Sequence, residues 1–246
     1  LSLGALRLGA ERLDVDAALP EGGLPRGAVL ELASARALGG ITSLSLRACA
    51  AAQADARLRG GDERTEGAFC AFLDPYAKLH APALMAAGVD PTRLLVVRPP
   101  LDALARVAVR LAESKVFSGV VVGSAPPPGG RMRGASRERG AAAQPVRLDR
   151  WQTVVRRLAL AVAGQSTTVL LMTDRLAPRS MPLPVAMRLE LEQRGANAPG
   201  ERADREGGLF LRVAKERHGR VGGLVRVGPV RAYPGEPGGL WRERTG

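Results

Sequence analysis

Short, continuously apolar segments alternate with helix-forming segments through the first two-thirds of the chain, and this alternation constrains the fold more than any other feature. Short apolar runs predict buried strands, whereas longer Ala- and Leu-rich runs predict helices. The predicted strands are 28–33, 68–73, 94–97, 119–123 and 167–172. The predicted helices are 42–59, 78–87, 103–115 (with Asp102 as its N-cap) and 148–163. The pattern predicts an α/β fold with a mainly parallel sheet, because strands that are apolar on both faces need helices on both sides.

The last third of the chain places strand after strand without helices between them. Segments 186–192, 208–214 and 223–230 are predicted as strands. They indicate antiparallel strands at the C-terminal side of the sheet. We expect residues 1–232 to form a single domain and residues 233–246 to form a tail, since 246 residues fit one domain. Because the sequence begins at Leu1 and not at a methionine, we also expect a preceding segment.

Positive charge dominates the composition, with 36 Lys and Arg against 24 Asp and Glu and a formal net charge of +12. Such a balance favours anionic partners, namely DNA, RNA or an acidic protein surface. The alternative is a background of arginine on a solvated surface. Because aromatic residues make up only 3% of the chain, base stacking is not indicated.

The cysteines and histidines do not form a metal-binding pattern. Cys49 and Cys70 lie in apolar stretches, and His80 and His218 are far apart in the sequence. The cysteines favour a reducing compartment, and no apolar run reaches the length of a transmembrane helix. We therefore expect a cytoplasmic protein with no metal site and no membrane partner.

The segment after the first strand has the context of a phosphate-binding loop, because a glycine-containing turn joins an apolar strand to a helix. A working loop needs a lysine for the β- and γ-phosphates and a hydroxyl for Mg²⁺. In S-A-R-A-L-G-G-I-T-S, Ile41 stands where the lysine belongs, Ala35 replaces the first glycine, and Arg36 offers a substitute cation. The vestigial loop residues are Gly39, Gly40, Ile41 and Thr42. We predict a retained turn that binds no nucleotide and no other cofactor.

Several motifs resemble, in their order and spacing, the core of the RecA recombinase. They are G-G-L-P-R-G (22–27), I-T-S-L-S-L (41–46), F-L-D-P-Y-A-K-L-H (72–80), L-M-A-A-G-V-D (84–90) and L-L-V-V-R-P (94–99). The resemblance covers roughly residues 3–230 and implies a RecA-like P-loop fold.

The chain departs from the RecA pattern at the positions that the resemblance assigns to ATP hydrolysis. Tyr76 stands where the family has the glutamate that positions water, and Gly123 where it has the aspartate that serves Mg²⁺. Asp174 stands where the family has a glutamine that senses the nucleotide. Since the lysine is also replaced, we predict a pseudo-ATPase with no catalytic residues, because phosphoryl transfer depends on positioning and charge neutralisation.

A long loop is predicted over residues 124–147, at the place of the first RecA DNA-binding loop. Its arginines are Arg131, Arg133, Arg137, Arg139 and Arg147, and Glu138 alone opposes them. Arginines on such a loop suit contact with phosphates, which makes them candidates for DNA binding. The alternative is a solubilising loop that binds nothing.

A narrower resemblance is to the ImuA family, RecA-like accessory proteins of bacterial mutagenic DNA repair. The degenerate loop carries it, together with W-Q-T-V-V-R-R-L-A-L-A (151–161), T-T-V-L-L-M-T-D (167–174) and V-A-K-E-R-H-G-R (213–220). The resemblance implies a role in translesion synthesis during the SOS response. It implies an inactive Y-family polymerase homologue of the ImuB type and the RecA recombinase as partners. It also implies a nucleoid-associated location.

Four functional hypotheses follow from the sequence. The first is a non-catalytic adaptor for the polymerase homologue, the recombinase or both; in a sharper form it modulates the recombinase by imitating one of its protomers and limiting filament growth. The second is a DNA-binding RecA paralogue that uses the basic 124–147 loop. The third is an ATPase with an unorthodox site, and the fourth is a division inhibitor of the SulA type, which the length and the R-H-G segment disfavour.

Overall fold

A mixed sheet forms the centre of the protein in a computed structural model, which describes residues 5–6, 19–20, 22–34, 39–60, 68–124, 146, 150–176, 181–194 and 208–226. The strands are β1 (Ala5–Leu6), β2 (Leu24–Pro25), β3 (Ala28–Ser34), β4 (Phe69–Leu73), β5 (Leu94–Val97), β6 (Phe117–Gly123), β7 (Thr168–Asp174), β8 (Met187–Arg194), β9 (Gly208–Glu216) and β10 (Val225–Arg226). The helices are α1 (Gly39–Gly60), α2 (Ala81–Ala86), α3 (Leu104–Glu113) and α4 (Trp151–Val162), with a short 3-10 helix at Pro91–Arg93.

Eight of these strands share one sheet in the order β10-β9-β8-β3-β7-β6-β4-β5, while β1 and β2 pair separately. The six strands from β8 to β5 are parallel to one another. β9 and β10 continue the sheet in antiparallel pairs. The predicted α/β class, the mainly parallel sheet and the antiparallel C-terminal strands are confirmed.

The β8 strand belongs to the parallel part of the sheet, although the sequence placed its segment in the antiparallel extension. It pairs in parallel with β3, with Leu30 opposite Met187. The chain between β7 and β8 is long enough to return to the opposite end of the sheet and enter beside β3 in the same direction. The antiparallel extension therefore begins one strand later, at β9.

Alternate residues of the central strands face two separate hydrophobic cores. Leu30 and Leu32 of β3 pack with Leu44 of α1 on one face of the sheet. Val29 packs with residues of α3 and α4, including Leu158, on the other face. The largely apolar strands predicted from the sequence are thus buried by helices on both sides, as a parallel sheet requires.

The edge of the sheet differs from the prediction at β5. The sequence indicated a buried strand, but Leu95 is 44% and Val96 is 38% exposed. The prediction was wrong because β5 pairs on one side alone within the described sheet, with β4. An apolar run shows that a strand is suited to burial, but the position of the strand in the sheet decides how much of it is buried.

Two helix starts also differ from the prediction. Ala103, and not Asp102, is the N-cap of α3, and no side chain donates or accepts a capping hydrogen bond there. The α2 helix begins at Ala81 because the buried Asp74 carboxylate accepts the N–H groups of Lys78 and Leu79, each at 2.9 Å. These hydrogen bonds hold the preceding residues in a turn instead of a helix.

The long loop predicted at 124–147 falls outside the described residues apart from Ser124 and Val146, and the tail at 233–246 falls outside them entirely. Among the described helices, none combines the length and the apolar character needed to cross a bilayer.

Shortening Leu30 to alanine tests the central position of β3. Leu30 is completely buried, so Leu30→Ala should lower the free energy of unfolding by about 2–5 kcal/mol through lost burial and the cavity left behind. The matched control is Leu160→Ala on α4, whose side chain is 78% exposed and should change stability by about 0.5 kcal/mol or less. Urea unfolding followed by circular dichroism measures both. Equal effects of the two substitutions would contradict this arrangement of the core.

Candidate functional site

The carboxyl ends of β3, β4, β6 and β7 meet at one edge of the sheet, because these strands are parallel. Ligands of open parallel α/β sheets bind outside this edge. Tyr76 follows β4, Gly123 ends β6 and Asp174 ends β7. The α1 helix, which follows β3, begins at Gly39. The fold therefore places the sequence-predicted nucleotide positions on a common edge.

The start of α1 is packed with apolar side chains. Ile41 is 1% exposed and belongs to the core beneath α1. A Cβ atom built on Gly40 would lie 2.9 Å from both δ-carbons of Leu209 and 3.3 Å from a δ-carbon of Leu191. The β8–β9 pair therefore covers the helix start at the glycine, and the residue at the lysine position points into the core. Ala35 and Arg36 lie outside the described residues.

The second feature of this edge is the close approach of two chain segments at Gly123. A Cβ atom there would lie 3.0 Å from the backbone oxygen of Leu73 and 3.8 Å from Cδ of Pro75. The next residue, Ser124, is buried and donates from Oγ to the backbone oxygen of Met172 at 2.6 Å. A side chain at position 123 would therefore press against the backbone at the end of β4, and glycine avoids this close contact.

Tyr76, at the position to which the RecA resemblance assigns a catalytic glutamate, is buried beside that turn. Burial raises its pKa to about 12, opposed by a hydrogen bond with the backbone of Val146. This bond ties the end of the segment before α4 to the carboxyl edge. A neutral phenol held in this way cannot act as the base that a carboxylate supplies.

Lys78 lies over the ring of Tyr76, with Nζ 5.3 Å from the ring centroid. Burial lowers its pKa to about 8, and the negative charge of Asp74 opposes part of that shift. Asp74 is itself buried, accepts the two backbone hydrogen bonds of the turn and lies 3.9 Å from Nε of Arg98. The Asp74 carboxylate therefore holds the turn after β4, while the Lys78 ammonium lies over the ring of Tyr76 beside it.

Asp174 is also engaged within the protein. Its carboxylate accepts the N–H of Leu176 at 2.8 Å, and the next residue, Arg175, donates its N–H to the backbone oxygen of Ser34 at 2.9 Å. The Arg175 guanidinium then donates to Glu192 at 2.6 Å. The end of β7 is thereby fixed to both β3 and β8.

A buried group of charged residues, which sequence reasoning missed, crosses the neighbouring strands. Glu31 of β3 is 1% exposed, accepts a hydrogen bond from Thr173 Oγ1 at 2.7 Å and lies 3.8 Å from Nε of Arg188. Arg188 also lies 3.1 Å from Glu190, which pairs with Arg212. Burial alone would raise the pKa of Glu190, but these arginines bring it below its usual value. The signal was present in the sequence as one glutamate inside an otherwise apolar strand.

The V-A-K-E-R-H-G-R motif forms the end of β9 and a turn. The buried Glu216 carboxylate accepts the N–H groups of His218 at 2.8 Å and Arg220 at 3.3 Å. Burial would raise its pKa, but these hydrogen bonds and the charges of the same two residues lower it. Glu216 therefore has a structural role in this motif, because its carboxylate holds the turn. The side chains of Arg217 and His218 are exposed.

Among the described residues, the carboxyl edge does not present the groups that a magnesium nucleotide needs. The lysine position is in the core, a side chain at the position of the metal-site acid would press on a backbone oxygen, and Asp74 and Asp174 are engaged in turns. Within the described ranges, no group of three or more His, Cys, Asp or Glu side chains is placed to hold a metal ion. The five arginines predicted to contact DNA lie outside the described residues. No protein-family model and no curated protein matches the chain.

The lowered pKa of Lys78 predicts a dependence of stability on pH. The pKa of Lys78 in the folded protein, about 8, lies below the reference value of 10.5. Between these two pH values, the unfolded chain therefore binds more protons than the folded protein does. Stability therefore rises from this source as the pH increases from about 8 to about 10.5. Lys78→Met should remove that rise and increase stability at pH 7. The exposed Lys115→Met is the control, and urea unfolding at several pH values gives the comparison. A pH profile of Lys78→Met that parallels the wild type would contradict the burial of this ammonium group.

Restoring an aspartate at position 123 should disturb the fold without creating a metal site. Gly123→Asp places its Cβ against a backbone oxygen, so we expect a loss of about 1–3 kcal/mol in the free energy of unfolding. Gly223→Asp is the control, since a Cβ there meets nothing within 4 Å. Urea unfolding and calorimetry with ATP and Mg²⁺ measure the two effects. Full stability together with newly acquired Mg²⁺-dependent ATP binding would show that the edge is open.

Proposed function

We propose that this chain is a non-catalytic, RecA-like accessory protein of SOS-induced DNA damage tolerance. In this role it acts as an adaptor in mutagenic translesion synthesis. Its partners are an inactive Y-family polymerase homologue of the ImuB type, the RecA recombinase, or both. The protein is a pseudo-ATPase that works through its surface and uses no cofactor.

The observation that carries the proposal is the packing of the carboxyl edge. Ile41 is in the core where a phosphate-binding lysine would reach solvent, and Leu209 covers Gly40. The backbone oxygen of Leu73 occupies the space next to Gly123. At each of these positions, where the chain departs from the RecA pattern, a neighbouring group of the protein fills the space. This agrees with a fold that is retained for its shape and surface and not for hydrolysis.

The motif order along the chain supports the choice of family. The segments that resemble RecA form the alternating strands and helices of the parallel sheet, and the segments that resemble ImuA form α4, β7 and the end of β9. A protein with this shape can present a surface similar to that of a recombinase protomer. Because of that likeness, we expect the chain to bind either the recombinase itself or a protein that normally contacts the recombinase.

Calorimetry with ATP and Mg²⁺ tests the absence of nucleotide chemistry. We expect no saturable heat, because phosphoryl-group binding needs a cation and backbone N–H groups around the phosphates. A RecA recombinase with an intact loop, measured in the same buffer, is the positive control. Saturable binding or hydrolysis by this chain would favour the ATPase hypothesis.

Pull-down with purified partners tests the adaptor role. The tagged chain should retain the polymerase homologue, the recombinase or both, and ATP should not change the retention. Gly223→Asp, where a Cβ meets nothing within 4 Å, is expected to stay folded and serves as the comparison variant. Failure to retain either protein would refute the adaptor role, whatever the calorimetry shows.

A further inference from the structure

The outer surface formed by α3 and α4 is rich in exposed arginines. α3 joins β5 to β6 and α4 joins β6 to β7, and these strands are parallel, so both helices run in the same direction across one face of the sheet. Their inward sides share the second core, where Leu104, Ala108, Val155 and Leu158 are fully buried. The opposite sides, here called the α3–α4 face, are directed to solvent.

An ion pair shows that the outward sides of the two helices face the same way. Nη2 of Arg157 on α4 lies 3.9 Å from Oε1 of Glu113 on α3, and both side chains are more than half exposed. Seven residues earlier in the sequence are Arg150, the N-cap residue of α4, and Arg106 of α3. Because the helices are parallel, these two arginines lie at about the same level.

The α3–α4 face carries far more positive than negative charge. Its exposed cations are Arg106, Arg110, Lys115, Arg150, Arg156 and Arg157, and its exposed acids over 102–115 and 150–162 are Asp102 and Glu113. Arg157 has its partner in Glu113. Among the residues that the structure describes, Arg106, Arg110, Arg150 and Arg156 have no carboxylate within ion-pair distance. These four arginines are exposed.

The spacing of these arginines suits a repeating anion. Arg106 and Arg110 are one helical turn apart, about 6 Å along the axis, and packed helices lie about 8–10 Å apart. Guanidinium groups recognise phosphate through paired N–H donors. The result is an array of phosphate-sized positions on a rigid two-helix support.

The face offers positive charge without any means of stacking bases. Trp151, the aromatic residue within α4, is 5% exposed and belongs to the core. Binding to single strands relies on aromatic side chains that stack on unpaired bases. A double helix keeps its bases stacked internally and displays phosphates on the outside, so it matches a surface of this kind better.

We propose that the α3–α4 face binds the phosphate backbone of double-stranded DNA without sequence preference. Arg106, Arg110, Arg150 and Arg156 contact phosphates, and Glu113 weakens the interaction locally. This site is distinct from the 124–147 loop and goes beyond the adaptor role, which does not require it. Contact through phosphates alone makes the affinity strongly dependent on salt.

Fluorescence anisotropy with a labelled 30-base-pair duplex, measured at several NaCl concentrations, tests the proposal on the full chain. The variant Arg106→Ala/Arg110→Ala/Arg150→Ala/Arg156→Ala should bind at least about tenfold more weakly. Its log–log salt slope should be smaller by about 3 to 4 if each arginine contacts one phosphate. The charge-matched control replaces Arg131, Arg133, Arg137 and Arg139 by alanine and should leave most of this binding intact.

The variant Glu113→Gln is expected to strengthen binding, and a loss of folding cannot produce such a result. Removing this acid frees Arg157 and should strengthen duplex binding at low salt by about two- to fivefold, as expected for one added charge contact. A single-stranded 30-mer and poly-L-glutamate serve as competitors and should displace the duplex weakly. Three outcomes would overturn the proposal: no duplex binding by the wild type, unchanged affinity in the helix variant, or equal or tighter binding of either competitor through the same arginines.

Discussion

Burial of the central strands on both faces is the constraint on which the rest of the structure depends. β3, β6 and β7 are almost wholly apolar, so neither face can remain in water. Helix α1 covers one face, and α3 and α4 cover the other. The helices must lie between the strands in sequence, which makes the sheet parallel and brings the carboxyl ends of the strands to one edge.

That edge is where a fold of this kind normally holds a ligand, and here the protein fills it with its own groups. The turn after β4 is held by Asp74 and packs against Gly123. Leu209 of β9 reaches over the start of α1. The antiparallel strands are therefore part of what closes the edge, because they bring apolar side chains to the place where a phosphate would approach.

The buried charges on the other side of β8 and β9 have a different consequence. Glu31 and Glu190 are buried within the sheet, and arginines neutralise them. Groups of this kind cost free energy when one partner is removed, so they favour a single register of the neighbouring strands. The surface over α3 and α4 is the reverse case, since most of its arginines have no such partners and are directed to solvent.

The sequence by itself determined the fold class and most strand positions, because apolar periodicity is a local property, and from the residue types at Ile41 and Gly123 it predicted a loss of nucleotide chemistry. It did not determine that β5 is half exposed, that β8 pairs in parallel with β3, or that Asp102 is not a cap. Nor did it show that Leu209 lies over Gly40, or that Lys78 lies over Tyr76 beside Asp74. Those features depend on strand order and on contacts between residues far apart in the chain. Tertiary structure decided them, because which groups become neighbours is fixed only when the whole sheet is assembled.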